Sequence, residues 1–337
     1  MGNLISLNAS IAGACSVVGY LERGGPIGHC FDFYDDKKEG GDRFGQDTFE
    51  KAESEMQRMA LNGALDQCGM SERRLDGLFA GDLLNQCVGS AYGLLDFDVP
   101  YFGLYGACST AVEGLTLAGI MVTHGVMERC ASVASSHNCT AERQYRTPLE
   151  YGGQRPPTAQ WTVTGAGAFV LEKMSSEHVR LSAAMPGIVV EKGMTDANNM
   201  GAAMAPAAVD TLVRYFRASK TTPTDYDLIV TGDLGYEGGR IFCDLMKIEG
   251  YDLQDRYQDC GQIIYCRQTQ DVHSGGSGCG CSAVVTASYL LPKLQRGEIK
   301  RMILMGTGAM MSPSSIQQGL AIPGIAHLVV LESPYNI

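Results

Sequence analysis

An internal duplication constrains the fold of this chain more than any other feature of its sequence. Three segments recur in the same order in the two halves, at spacings that differ from pair to pair. Different spacings are expected when insertions fall in surface loops, where they cost little stability. Two copies of one supersecondary unit are therefore predicted. The matching segments are 76–83 (DGLFAGDL) with 227–234 (DLIVTGDL), 107–112 (ACSTAV) with 279–284 (CGCSAV), and 168–172 (AFVLE) with 328–332 (LVVLE).

Short apolar runs alternate with amphipathic stretches in each copy. In the first copy, strands are predicted at 78–80, 101–105 and 130–134, and a helix over 110–127. Alternation of this kind favours mostly parallel sheets with helices between the strands. We therefore predict an α/β fold in which two duplicated βαβαβ halves pack in layers. The halves are placed at 1–175 and 176–337.

Two stretches interrupt this pattern. Residues 1–45 are rich in glycine and mixed charge, with a turn signal at 24–28, and no strand is predicted there. Residues 140–163 are predicted to be a loop inserted into the first half, where they would cover the functional site.

Cys108 stands where an apolar run ends in small residues and a helical pattern begins at once. Gly106 and Ala107 leave room for a sharp turn, which predicts a cysteine at a strand-to-helix elbow. The helix dipole and free N–H groups at such a position favour thiolate over thiol, so Cys108 is a candidate nucleophile. A small buried cysteine that fills a tight turn is the alternative.

Composition excludes several classes of protein. The net charge of −11 argues against a nucleic-acid partner, and no run of 18 apolar residues or secretion signal is seen. The 12 cysteines are scattered, which predicts reduced thiols in a cytosol-like compartment. Cys279 and Cys281 form the only close pair, and without a second pair or a nearby histidine at the spacing of a zinc site no metal site is predicted.

These features together resemble the thiolase and β-ketoacyl synthase superfamily, whose members have duplicated halves and a cysteine at the helix elbow of the first half. Within it, the chain resembles the stage V sporulation protein AD family of endospore formers. The resemblance implies five layers in the order αβαβα. The strings that carry it are 81–86 (GDLLNQ), 102–110 (FGLYGACST), 135–146, 204–208 (MAPAA) and 275–286.

Residues needed for condensation in that superfamily are missing. Its histidine after the first strand of the second half is replaced here by 231–235 (TGDLG), which places Asp233 where a neutral donor is needed. Its asparagine is replaced by a glycine-rich run at 275–280, and the second thiolase cysteine by 305–310. His273 resembles a partial retention of a thiolase histidine, with a loop histidine bonded to backbone as the alternative. The resemblance therefore implies a protein without condensation activity.

The resemblance implies binding of dipicolinic acid (pyridine-2,6-dicarboxylate), with or without calcium, for its uptake into the developing spore. A planar dianion favours bidentate arginine, N–H groups at a helix start and a slot lined by small residues. Asp82 and Asp233, at corresponding strand ends, are expected to cap the following helix or turn. The predicted ligand-binding residues are Cys108, Ser109, Thr110, Asn85, His137, Asn138, Arg143, Arg146, His273 and Gly276, with Arg155 as a third arginine of the inserted loop.

No cofactor is predicted. Besides dipicolinic acid, the expected partners are other stage V sporulation A proteins of the spore inner membrane, on which the chain would be peripheral, and a second copy of the chain. By analogy with the superfamily, the dimer edge is expected at 130–134. The alternative function is an acyltransferase in which Cys108 accepts the acyl group.

Overall fold

The computed structural model describes residues 4–37, 41–145 and 155–336. The strands in these ranges are β1 Ile5–Val18, β2 Phe33–Tyr34, β3 Gly77–Gly81, β4 Tyr101–Leu104, β5 Arg129–Ser136, β6 Trp161–Thr162, β7 Gly165–Lys173, β8 Val179–Met185, β9 Leu228–Thr231, β10 Tyr257–Asp259, β11 Gly276–Ser277, β12 Arg301–Ala309 and β13 Gly324–Glu332. The α-helices are α1 Tyr20–Arg23, α2 Phe49–Gln67, α3 Val88–Gly93, α4 Thr110–Thr123, α5 Asn138–Tyr145, α6 Met200–Ser219, α7 Gly235–Ile248, α8 Cys260–Ile263, α9 Cys279–Val285, α10 Leu291–Gln295 and α11 Pro313–Gln317.

The strand order repeats between the two halves. From edge to centre it runs β4-β3-β5-β7-β1 in the first half and β10-β9-β12-β13-β8 in the second. In each half the three outer strands are parallel and the fourth is antiparallel to its neighbours. The central strands β1 and β8 pair antiparallel and join the halves into one sheet. The predicted duplication is therefore confirmed. The proposed boundary at 175/176 falls in the turn between β7 and β8.

Equivalent aspartates show how closely the copies correspond. Asp76 Oδ2 accepts hydrogen bonds from the N–H groups of Glu128 (2.6 Å) and Arg129 (3.1 Å). Asp227 Oδ2 does the same with Lys300 (2.7 Å) and Arg301 (3.0 Å), at the equivalent strand start. One aspartate in each copy thus fixes the loop that enters the strand next to it.

Helices cover both faces of this sheet. Helices α4 and α9 form a middle layer, since α4 contacts β3 and β5 of one half as well as β12 and β13 of the other. Helix α2 packs on the outer face of the first half, and α6 on the outer face of the second with α7 against it. This is the predicted layered α/β arrangement, and the fold class is confirmed.

Helix α2 shows why an outer helix forms where it does. The Thr48 side chain caps its first turn by accepting from Lys51 N (3.2 Å). Ala52, Met56 and Ala60 then recur every four residues and are fully buried. This spacing places them on one helical face, which packs against the sheet.

Two predictions about secondary structure and one about the dimer edge are wrong. No strand is predicted in residues 1–45, yet this stretch contains β1, the longest described strand. Small and polar residues such as Ser10 are buried on β1, so it lacks the alternation of apolar and polar residues that predicts a strand. Part of the inserted stretch is helix α5, and 146–154 lie outside the described residues. β5, the expected dimer edge, is an interior strand between β3 and β7.

None of the described helices is both long enough and apolar enough to cross a membrane.

Candidate functional site

Hydrogen bonds within the turn hold the cysteine elbow between β4 and α4. Ala107 has a left-handed backbone (φ 52°), which reverses the chain after Gly106. The Ser109 hydroxyl donates to the Gly106 carbonyl (2.6 Å), and the Thr110 hydroxyl donates to the Ala107 carbonyl (2.7 Å). The elbow prediction is confirmed. Ser109 and Thr110, however, are buried and stabilise the turn, and neither lines the cavity described next.

Cys108 lies at the floor of a small cavity between the two halves. The cavity volume is about 50 Å³, far below the roughly 300–1,000 Å³ of typical small-molecule pockets. Its polar lining consists of one thiol, two hydroxyls and one carboxyl, and no arginine or lysine is among the described residues that line it. The lining residues are Leu83, Ala107, Cys108, Ala141, Glu142, Thr162, Met200, Ser277, Ala309 and Met311.

Asp233 lies behind Cys108 and is fully enclosed. Its carboxylate accepts from Thr307 Oγ1 (2.6 Å), Gly278 N (2.9 Å) and Ser277 Oγ (3.2 Å). The Cys108 thiol also donates to it, and Cys108 Sγ is 3.9 Å from Ser277 Oγ. The carboxylate therefore gathers donors from three segments of the chain at the junction of the halves.

Burial, together with the negative charge of Asp233, raises the pKa of the Cys108 thiol well above that of a free cysteine. The expectation that the start of α4 favours a thiolate is wrong. The N–H groups of Ser109 and Thr110 donate within the turn, to Gly106 and Ala107, and a carboxylate opposes ionisation. The buried alternative describes Cys108 better, and at neutral pH it is a thiol.

The two equivalent aspartates have different partners. Asp82 Oδ1 accepts from Leu84 N (2.8 Å), and Oδ2 from Ser90 N (2.7 Å) and Oγ (2.6 Å), so its predicted turn-capping role is confirmed. The same prediction is wrong for Asp233. The start of α7 is capped instead by Asp259, which accepts from the N–H groups that follow Asp233, those of residues 234 (2.8 Å) and 235 (3.0 Å).

Three of the polar residues predicted to bind ligand lie away from the cavity. The ring of His137 is buried, with Nε2 donating to Asp42 O (2.7 Å) and Nδ1 accepting from a backbone N–H (3.2 Å); burial lowers its pKa. Asn85 is exposed and accepts from the Tyr105 hydroxyl (3.1 Å). Asn138 N donates to Thr164 Oγ1 (3.1 Å) at the start of α5. The side chains of His137 and Asn85 thus bond to loop residues around the site, whereas Asn138 contributes its backbone N–H.

His273 and Gly276 also lie outside the cavity lining. His273 Nδ1 donates to Pro156 O (2.8 Å), as its backbone-bonded alternative predicts, and its Nε2 is 3.0 Å from Asp271 Oδ1. Gly276 pairs with Trp161 in the short β6–β11 sheet. Its neighbour Ser277 is the residue of this loop that reaches the cavity.

The predicted arginines are only partly described. Arg143 belongs to α5, directly after the cavity residue Glu142, and its side chain lies outside the described part. Arg146 lies entirely outside it. Arg155 is placed elsewhere: its guanidinium stacks on Trp161 (4.8 Å to the ring centroid) and donates to Asp271. Arg155 therefore has a structural role.

Sequence reasoning missed most of the cavity wall. Glu142, Thr162, Met200, Ser277 and Met311 come from five separate segments, and of these only Ser277 lies in a glycine-rich string of the kind that marks a functional loop. Within 4–37, 41–145 and 155–336, no group of three or more His, Cys, Asp or Glu side chains could hold a metal ion.

Comparisons with known proteins identify the family of the chain. The profile of the stage V sporulation protein AD family matches residues 3–332. Stage V sporulation protein AD of Bacillus subtilis (strain 168) is 43% identical over 320 residues, covering 95% of this chain and 93% of the relative. The chain belongs to the stage V sporulation protein AD family.

Solved structures with the same fold are condensing-enzyme relatives of low sequence identity. A variant of OleA from Xanthomonas campestris with bound lauric acid and lauroyl-CoA has a TM-score of 0.59, with 16% identity, 96% of this chain covered and 100% of that one. The 3-oxoacyl-[acyl-carrier-protein] synthase III of Aquifex aeolicus VF5 has a TM-score of 0.58, with 11% identity, 96% of this chain covered and 99% of that one. This likeness establishes the thiolase-like fold.

Proposed function

We propose that this sporulation protein binds dipicolinic acid through the Cys108 cavity, for uptake into the developing spore, and does not catalyse condensation. One observation carries the proposal: Asp233 faces Cys108 from the position where a condensing enzyme needs a neutral donor. Family membership supports the sporulation role, and the resemblance supplies the ligand.

Two requirements of condensation argue against that reaction at this site. The nucleophile must be a thiolate, whereas the pKa of Cys108 is raised by burial and by Asp233. The thioester oxygen must be stabilised by donors as negative charge develops, and each such donor is typically worth about 10²–10³ in rate. A buried carboxylate at this place would repel that charge.

The dianion would be held mainly by α5 and the residues that follow it. Ala141 and Glu142 line the cavity, so Arg143 is adjacent in sequence to its wall and Arg146 is three residues further along. In this proposal their guanidinium groups pair with the two ligand carboxylates. Thr162 and Ser277 would contribute hydroxyl groups at the cavity wall.

Calorimetric titration with dipicolinate, with and without calcium, tests the proposal. We expect saturable binding, weaker binding of benzene-1,3-dicarboxylate, which lacks the ring nitrogen, and a loss of about tenfold or more for Arg143→Ala and Arg146→Ala. Arg217→Ala, on the outer surface against Glu249, is the matched control and should bind normally. Absence of saturable heat at millimolar ligand would contradict the proposal.

The rival function is acyl transfer through Cys108, favoured by the cysteine elbow and by the fold shared with condensing enzymes. Incubation with acyl-CoA followed by peptide mass mapping separates the two. Cys266 is a needed control, because hydrogen bonds lower its pKa and its thiol is exposed, so non-specific acylation would occur there first. An adduct on Cys108 that persists in Cys266→Ala and disappears in Cys108→Ala would favour the enzyme.

A second copy of the chain is the proposed partner at the β4 edge. Among the described strands β4 pairs with β3 alone, so within the described part of the chain its other side presents unpaired backbone groups. Tyr101, Phe102 and Tyr105 beside it are 38%, 43% and 49% exposed. Two such edges can pair antiparallel around a two-fold axis. Other stage V sporulation A proteins at the spore inner membrane are the remaining proposed partners, on the strength of family membership alone.

A further inference from the structure

The Cys108 cavity is too small for the ligand class proposed for it. A volume of about 50 Å³ accommodates a few water molecules, since one water needs roughly 10–15 Å³ measured this way, and does not accommodate an aromatic ring with two carboxylates. Binding therefore requires some part of the wall to move.

Most of the wall cannot supply that volume. Ala107, Ala141 and Ala309 have no side-chain torsion that would open space. Ser277 donates to Asp233 and Cys108 contacts the same carboxylate, which fixes the floor. Thr162 donates to Glu142 Oε1 (3.4 Å), and it belongs to β6. Leu83 is buried and directly follows Asp82, whose hydrogen bonds hold the turn.

Met200 and Met311 differ from these residues in both chemistry and position. Met200 is the first residue of α6, and Met311 lies between β12 and α11, so each is carried at the end of an element. Both side chains are half-buried. A methionine side chain has three rotatable bonds and a polarisable thioether, which allows it to repack and to contact aromatic rings favourably.

We propose that Met200 and Met311 form a gate that fills the ring-binding position of the empty protein and swings aside to admit a planar aromatic acid. Both the identity of the ligand and the need for motion rest on the proposed function, because it is the size of that ligand that the cavity does not accommodate. The closed gate is the state with the small cavity, and the ligand selects the open one because only that state can bind it. The thioethers then contact the faces or edges of the ring.

Cys108 provides a ligand-independent readout because it lies on the cavity floor. Its rate of modification by N-ethylmaleimide at pH 9, followed by peptide mapping, reports how often the gate opens. We expect the double variant Met200→Ala/Met311→Ala to label Cys108 about tenfold faster than the unsubstituted protein. Met310→Ala, which truncates the neighbouring exposed methionine outside the lining, should leave the rate unchanged.

Dipicolinate titration of the same variants completes the test. The gate predicts that dipicolinate associates faster with the double variant. Piperidine-2,6-dicarboxylate, the non-aromatic counterpart, should lose less affinity than dipicolinate when the thioethers are removed. An unchanged Cys108 labelling rate in the double variant would overturn the gate. Faster labelling without any dipicolinate binding to the unsubstituted protein would support the gate and reject the proposed ligand.

Discussion

Asp82 and Asp233 occupy equivalent positions in the two copies, but one has a structural role and the other changes the chemistry of a cysteine. Asp82 accepts from Leu84 and Ser90, both in its own half. Asp233 accepts from Thr307 and from the Ser277 loop, and it meets Cys108 of the other half. The carboxylate in the first copy thus orders a loop of its own half, whereas the equivalent carboxylate in the second copy lies against Cys108 of the first copy and adds to the effect of burial in raising the pKa of that thiol.

The two strand-to-helix elbows also differ in the residue that each copy places at the start of the helix. The counterpart of Cys108 in the second copy is Gly280, at the start of α9. A Cβ added there would lie 2.7 Å from Ser136 Oγ and 2.8 Å from Ser136 N, and would also overlap the Gly165 carbonyl. The first copy thus opens onto a cavity at this point, and the second copy is packed directly against the first.

The largest expected effect concerns this packing difference. Gly280→Ala should reduce the free energy of unfolding by about 3 kcal/mol, the upper part of the range for overpacked sites, because the added methyl group meets backbone atoms. Urea denaturation measures the change. Gly24→Ala is the control, since its Cβ would meet no atom closer than 3.4 Å, and it should change stability by less than about 1 kcal/mol. Equal effects of the two substitutions would contradict close packing of the second elbow.

The two sheet edges give the next largest effect. Phe102→Lys on β4 should weaken self-association by about 30-fold or more, the scale of a hot-spot residue at an interface. Gln258→Lys on the equivalent edge β10 should leave it unchanged, because that edge exposes a glutamine in place of aromatic rings. Sedimentation velocity over a range of concentrations measures both. Because Phe102 stacks on Phe79 (5.0 Å between centroids), the fold of the variant is checked by circular dichroism. A monomeric unsubstituted protein would reject the interface.

A smaller effect is expected in the pH dependence of stability. Burial raises the pKa of Asp259 to about 7, against about 3.9 for an unfolded aspartate. At a pH between these two pKa values, Asp259 is protonated in the folded state and ionised in the unfolded state. The protonated Asp259 therefore contributes stability that is complete below about pH 3.9 and is lost as the pH rises through 7. Asp259→Asn should flatten the fall in stability between pH 5 and 7.5 by at most about 1.4 kcal/mol per pH unit, measured from urea midpoints. An unaltered slope would show that Asp259 ionises normally.

The sequence predicted the duplication, the layered fold and the elbow because each depends on local patterns that recur at matching positions. It failed for β1 because a strand buried on both faces need not alternate, and small polar residues such as Ser10 and Ser16 are accommodated inside it. It failed for most of the cavity because residues such as Met200 and Met311 approach Cys108 only through the tertiary fold. His137 and Asn85 lie away from this cavity because their side chains form hydrogen bonds with loop residues, a role that the sequence does not distinguish from ligand binding.

The protonation state of Cys108 tests the central claim most directly. Its rate of alkylation by iodoacetamide is measured from pH 6 to 10 by peptide mapping in the unsubstituted protein, in Asp233→Asn and in Asp82→Asn. We expect the midpoint in the unsubstituted protein to lie above the roughly 8.5 of a free cysteine, to fall by at least about one pH unit in Asp233→Asn, and to stay unchanged in Asp82→Asn. A midpoint at or below pH 7 in the unsubstituted protein would make Cys108 a thiolate nucleophile and contradict its role as the floor of a binding site.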